Sequence, residues 1–264
     1  MRKIYLAIKR KIETWLELSS FGFRFSLKNI HGATGPHGHP DASWHNAVLK
    51  NQKEVTSAIN QVRTLGLPVM IDPPKNWDSL AALDLILKRT YKDARIFDAG
   101  GELYSMILPW LFLYGYRNLS AGNLVFQRPI KKGPIVYHYS DITQTQHEPA
   151  VFNTITCLSV IEHGVDLHSY FCEMSRILKP GGVLITSTDY FEKPVDTRGQ
   201  MAFGKPIHIF TKEEIAEAIE IANQYGLTLT SPLNLDAGEK VVNWKEFDLN
   251  YTFIIFSLHK TASI

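Results

Sequence analysis

From Arg95 onward, short apolar runs alternate with helix-patterned segments, and this alternation restricts the fold more than any other feature of the sequence. Arg95-Ile-Phe-Asp98 reads as a strand, Gly100-Gly101 as a turn, and Leu103 to Tyr114 as a buried helix closed by Gly115. A second strand is expected over Leu119 to Phe126 and a third over Ile135 to Tyr139. Phe152 to Val160, rich in Ile, Thr and Val, predicts a buried fourth strand. A helix over Leu167 to Leu178 stops at Lys179-Pro180-Gly181-Gly182, and Val183 to Ser187 makes the fifth strand. Thr211 and Glu214 have capping-box spacing, which starts a helix that runs to Tyr225 before Gly226. Tyr251 to His259 is the last strand. Strands separated by helices fold as parallel βαβ units. The expected fold is therefore α/β, a three-layer, doubly wound sheet, mostly parallel with an antiparallel edge strand.

The first 90 residues have a different texture and predict a helical N-terminal extension, leaving residues 91–264 as the main domain. Residues 2–18 form a basic amphipathic pattern through Ile4, Ile8, Ile12, Trp15 and Leu16. Such a helix suits packing on its own domain or a partner subunit, or peripheral contact with an anionic membrane surface. Residues 47–65 and Trp77 to Lys88 are further helices, with a break at Pro73-Pro74. Between them and the first helix lies a loop over residues 31–46 holding His31, His37, His39 and His45. No cysteine is near and the spacing fits no compact zinc pattern, so a polar loop without metal is expected.

Composition closes off several classes. With 264 residues, one large domain or one domain with an appendage is expected. Lys and Arg number 28 against 26 Asp and Glu, a balance that gives no electrostatic basis for binding nucleic acid. Two cysteines, Cys157 and Cys172, make no disulfide framework and read as packing residues in a reducing compartment. The apolar run from Ile107 to Tyr114 is far short of the ~20 residues that span a bilayer. Lys9-Arg10-Lys11 and Glu13 interrupt any signal-peptide core, so a cytoplasmic address is expected.

In open α/β sheets, ligands bind beyond the carboxyl ends of the strands, where the strand order reverses. Four stretches fall on that rim: Asp98-Ala-Gly-Gly-Glu102, Asn123, Ser140-Asp141-Ile142 and Ser159-Val-Ile-Glu-His163. Each alone reads equally well as an ordinary loop. Together they describe a site.

The segment from Phe152 to His163, followed by Glu173-Met-Ser-Arg-Ile-Leu-Lys-Pro-Gly-Gly182 and Val183-Leu-Ile-Thr-Ser187, resembles the class I S-adenosylmethionine-dependent methyltransferases of small-molecule and glycan type. The resemblance covers roughly residues 94–260. It implies a Rossmann-like fold, S-adenosylmethionine as cofactor, and a small molecule or a sugar as methyl acceptor. It implies that Asp98, Gly100 and Gly101 wrap the methionine part of the cofactor. By the same resemblance Asn123 meets the ribose, Asp141 and Ile142 meet the adenine, and Leu158 and Ser159 flank the methyl-transfer site. Glu102 stands where the family has a glycine, and reads either as a partner for the cofactor's ammonium or sulfonium or as a solvated acid at a helix start. Asn123 replaces an acid, which predicts that Asn123→Asp tightens cofactor binding or leaves it unchanged. Asn153 replaces an aspartate early in the fourth strand and reads as a change of turn. His163 is the candidate general base, with Glu162 to orient it or touch the substrate. The alternative from another class is a degenerate methyltransferase fold that binds a ligand or partner protein without catalysis. A nicotinamide dehydrogenase fits less well, because Gly-x-Gly-x-x-Gly is absent.

Overall fold

The computed structural model describes residues 17–202 and 204–261, so the helix expected over residues 2–18 lies, except for its last two positions, outside the described residues. Five strands form the parallel centre of the sheet: β2 (Arg95–Ala99), β3 (Asn118–Asn123), β5 (Ile135–Tyr139), β6 (Phe152–Leu158) and β7 (Leu178–Tyr190). They stand in the order β7-β6-β2-β3-β5. The chain winds outward from β2 through β3 to β5, then returns to β6 on the other side. The order therefore reverses between β2 and β6, and the carboxyl ends of these two strands mark the site. β4 (Ile130–Lys132) closes one edge as a hairpin with β5.

After a separate hairpin of β8 (Met201–Ala202) and β9 (Lys205–Pro206), the last strand, β12 (Leu249–Lys260), runs antiparallel to β7. Its outer side is covered in turn by β10 (Leu227–Leu229), by β1 (Ala47–Val48) and by β11 (Val242–Trp244). Covering an edge this way protects backbone groups that would otherwise template aggregation. β1 belongs to a stretch expected as helix, which begins only at Asn51. There the side chain accepts from the N–H groups of Lys53 and Glu54 and starts α2 (Gln52–Thr64).

The helix expected from Leu103 is shorter, spanning Ile107–Leu113 (α4). Pro109 is the reason. A start at Leu103 would place its ring against the Ser105 carbonyl and leave that carbonyl without a donor. The Lys179-Pro-Gly-Gly stretch behaves as a bulge within β7, because Phe152 pairs with Leu178 and Thr154 with Val183. Asn153, opposite the bulge, accepts from Arg95 N and from Lys179 Nζ, each at 3.0 Å. It therefore acts as a staple between strands. α5 (Leu167–Ile177) is capped by Asp166, and α6 (Lys212–Gln224) by the Thr211–Glu214 box. Cys157 is buried as expected, whereas Cys172 lies on the exposed side of α5.

The segment before β2 adds α1 (Ser20–Asn29), α2 and α3 (Lys75–Arg89). Phe23, Val55, Trp77 and Leu80 from these helices share one buried core with Ile96, Leu119 and Phe253 of the sheet. α3 is buried all round from Asn76 to Ile86, which accounts for its mixture of apolar residues on every face.

Candidate functional site

β2 carries Asp98 to the point where the sheet reverses. Its Oδ1 accepts from Thr156 Oγ1 on β6 at 2.7 Å. Burial raises its carboxyl to about 7, with the Thr156 bond opposing and the charge of Asp78 adding to the effect. The chain then turns sharply. Gly100 has φ of +83°, and its N–H donates to the Gly122 carbonyl at 2.7 Å. A Cβ on Gly100 would press into Val160, and one on Gly101 would run into the Asp98 carboxylate. Glycine alone keeps this cradle open.

Asn123, at the end of β3, closes the cradle from the side. Its Nδ2 donates to the Gly100 carbonyl at 2.6 Å and its Oδ1 accepts from Val125 N at 3.2 Å. Beyond β5, the Ser140 hydroxyl is buried and has no partner. Asp141 Oδ1 accepts from Thr143 N and Oγ1, which fixes the loop, and Ile142 is buried beneath it.

β6 ends at Leu158, and Ser159 follows in the left-handed region with φ of +54°. Its hydroxyl is bonded by Lys75 Nζ, brought in from the start of α3. Glu162 is buried under this turn and accepts from Thr188 Oγ1 at 3.0 Å. Burial raises its carboxyl above the usual range, with Lys75 opposing. His163 is half-buried. Burial, then the charge of Lys75, holds its imidazole below the ordinary value near 6.5.

A cavity of about 540 Å³ opens over these elements. Asp98, Gly100, Gly101, Leu158 and Ser159 form one wall, and Met70, Asp72, Lys75 and Ser79 form the facing one. The cavity thus brings together five of the residues picked out in the sequence. Asn123, Asp141 and Ile142 sit on the same rim beside it, while Glu162 and His163 lie below and beside the Ser159 turn. Glu102 is not at a helix start, because α4 begins five residues later. Its carboxylate pairs instead with the Tyr104 hydroxyl, which burial first and then Glu102 push above the usual phenol range.

The facing wall was not visible in the sequence. Its signal was the Pro73-Pro74 break followed by polar residues on the first turn of an otherwise apolar helix. Asn76 holds that turn in place, accepting from Met70 N at 2.9 Å and donating to the Pro73 carbonyl at 3.0 Å. Asp78, buried below, accepts from Ser187 Oγ at 2.7 Å. Burial raises its carboxyl, and raises Asp189 further with the help of Glu162.

The four clustered histidines disperse in space. His31 lines this cavity, His39 faces Tyr114 at 6.2 Å in a separate cleft, and the His45 imidazole is lowered by burial. Among the described residues no three His, Cys, Asp or Glu side chains are grouped to hold a metal. No helix among them is long and apolar enough to cross a membrane.

Residues 118–186 match the family model of a methyltransferase domain. A search of curated protein sequences finds no match. Many solved structures share the fold, among them three methyltransferases. An S-adenosylmethionine-dependent methyltransferase from Mesorhizobium loti is 15% identical with a TM-score of 0.50, over 70% of this chain and 97% of that one. The 1,6-didemethyltoxoflavin-N1-methyltransferase of Burkholderia thailandensis is 16% identical with a TM-score of 0.51, over 86% and 94%. The geranyl diphosphate C-methyltransferase of Streptomyces coelicolor A3(2) is 16% identical with a TM-score of 0.50, over 89% and 93%.

Proposed function

We propose that the chain is a class I S-adenosylmethionine-dependent methyltransferase and that it methylates a small molecule held between the glycine cradle and the first turn of α3. The observation that carries this reading is the cavity itself. Its facing wall comes from residues 69–79, and Val69, Met70, Ile71, Leu103 and Leu158 make much of its lining apolar. We assign residues 1–90 to an N-terminal extension, of which residues 69–79 wall the site, and residues 91–264 to the methyltransferase domain. The toxoflavin-type and geranyl diphosphate enzymes named above act on small molecules, which favours this acceptor class over a glycan.

The residues present fit the cofactor. The Gly100-Gly101 turn packs so closely on Val160 and Asp98 that a side chain on it would push the turn into the cavity, and the unpartnered Ser140 hydroxyl stands at the rim where the adenine is expected. When bound, S-adenosylmethionine supplies an electrophilic methyl group on a sulfonium. The protein holds donor and acceptor in line, and such alignment provides much of the acceleration. Calorimetry with S-adenosylmethionine, S-adenosylhomocysteine and NAD tests the reading, together with mass spectrometry of ligands carried through purification. Binding of NAD alone would sink it.

In this reading His163 takes the proton of the acceptor. Its lowered pKa keeps it neutral and basic at pH 7. His163→Ala should lower kcat by about a hundredfold while S-adenosylhomocysteine affinity changes little. The wild-type rate should climb with pH through a pKa below 6.5 and then level off, and the variant should lose that limb. An unchanged pH–rate profile would remove His163 from the chemistry.

Asn123 has a second task beside the ribose contact its position suggests. Both amide atoms are committed to the backbone, leaving Oδ1 a second lone pair for a ribose hydroxyl. Asn123→Asp would set a carboxylate against the Gly100 carbonyl in place of a donor. It should weaken S-adenosylhomocysteine binding about tenfold at pH 7, the scale of a lost buried hydrogen bond. Tighter binding in a titration of this variant would return the side chain to the ribose alone.

A further inference from the structure

Among the described residues that line the cavity, Lys75 is the single Lys or Arg. It is the first residue of α3, and the Asn76 staple fixes where it starts. Its Nζ bonds Ser159 Oγ and lies 4.2 Å from the centre of the Phe253 ring, so it is held at the junction of the two walls. Around it stand Asp72, Asp78, Glu162 and Asp189, and its charge works against the raised pKa of each.

The amino-acid end of the cofactor is a zwitterion. Its ammonium finds carboxyls in the same cavity, at Asp98 and Asp72. Its carboxylate needs a cation or several N–H donors, because an unpaired carboxylate taken out of water is strongly disfavoured. The hydroxyl that Lys75 now holds is a neutral partner, and a carboxylate makes the stronger charge-assisted bond. We propose that Lys75 binds the α-carboxylate of the cofactor's methionine part, exchanging its bond to Ser159 for that contact. The inference rests on the methyltransferase reading above. It makes the N-terminal extension a contributor to cofactor binding as well as a wall of the acceptor site.

The test uses two ligands on the full chain. S-adenosylhomocysteine carries the carboxylate, and 5′-methylthioadenosine has the same nucleoside and sulfur without it. By calorimetry, Lys75→Met should weaken S-adenosylhomocysteine at least about tenfold and 5′-methylthioadenosine less than about twofold. Lys75→Arg should keep S-adenosylhomocysteine within about threefold of wild type, because the charge stays. Equal losses on both ligands would mean that Lys75 only balances the buried acids, and would overturn the inference. Undiminished S-adenosylhomocysteine binding in Lys75→Met would do the same. A wild-type protein that binds neither ligand would instead overturn the methyltransferase reading, and the inference with it.

Discussion

Gly101→Ala is expected to lower S-adenosylhomocysteine affinity by at least about a hundredfold while the protein stays folded, since the added methyl drives the turn into the space the ligand needs. An ideal Cβ at this position falls on the Asp98 carboxylate, 2.6 Å from its Cγ and 3.0 Å from its Cβ. Asp98 has nowhere to go. Its Oδ1 is held by Thr156, and its backbone is paired on both sides, with β3 and β6. The turn must therefore move outward into the cavity. Gly199→Ala is the control, since Gly199 has φ of +62° and open space around a Cβ. It carries the strain of a positive φ without touching the cradle. Calorimetry on both variants, with thermal melts to confirm folding, checks the result. Binding by Gly101→Ala within threefold of wild type, a difference of about 0.7 kcal/mol, would mean that the ligand does not lie against this turn.

The parallel centre of the sheet was legible because each of its strands is a short apolar run bounded by a turn residue. Ile135–Tyr139 and the body of Phe152–Leu158 fall where the β-branched and aromatic residues place them. The capped helices were legible for the same local reason, since Thr211 and Glu214 satisfy each other whatever surrounds them. The strands along β12 were not. Ala47–Val48 and Leu227–Leu229 are too short for periodicity, and they are strands only because β12 offers them an unpaired edge.

The site divides along the same line. Asp98, Gly100, Gly101, Leu158 and Ser159 belong to motifs, and motifs are local. Lys75 and Ser79 reach the cavity because α3 is buried against the sheet, a tertiary fact that sequence spacing does not encode. Asn123 shows the limit from the other side. Its position at the end of β3 was readable, but its bond to the Gly100 carbonyl depends on how two loops meet.

Asp98 makes the second large effect, and it couples stability to binding. Its carboxyl titrates near 3.8 when unburied and is raised to about 7 in the fold. The contribution is fully present below pH 4, where both states hold the proton. As pH rises from there the unfolded chain releases its proton first, and stability falls until the folded carboxyl also ionises near pH 7. A shift of this size corresponds to on the order of 4 kcal/mol. Asp98→Asn should therefore melt higher than wild type at pH 8 and close to it at pH 4. Glu162, Asp78 and Asp189 are raised in the same direction, so part of the wild-type slope should survive in the variant. Binding reverses the burial effect. The ammonium of S-adenosylhomocysteine favours the ionised carboxylate, so at pH 6 the ligand should displace the proton that Asp98 holds. Calorimetry at pH 6 in buffers of different ionisation heat should then record proton release approaching one per site, fading by pH 8. In Asp98→Asn the release should vanish and affinity should fall, because the amide offers the ammonium no charge. Proton release that persists in the variant would assign the titration to another of the buried acids, and would remove Asp98 as the partner of the ammonium.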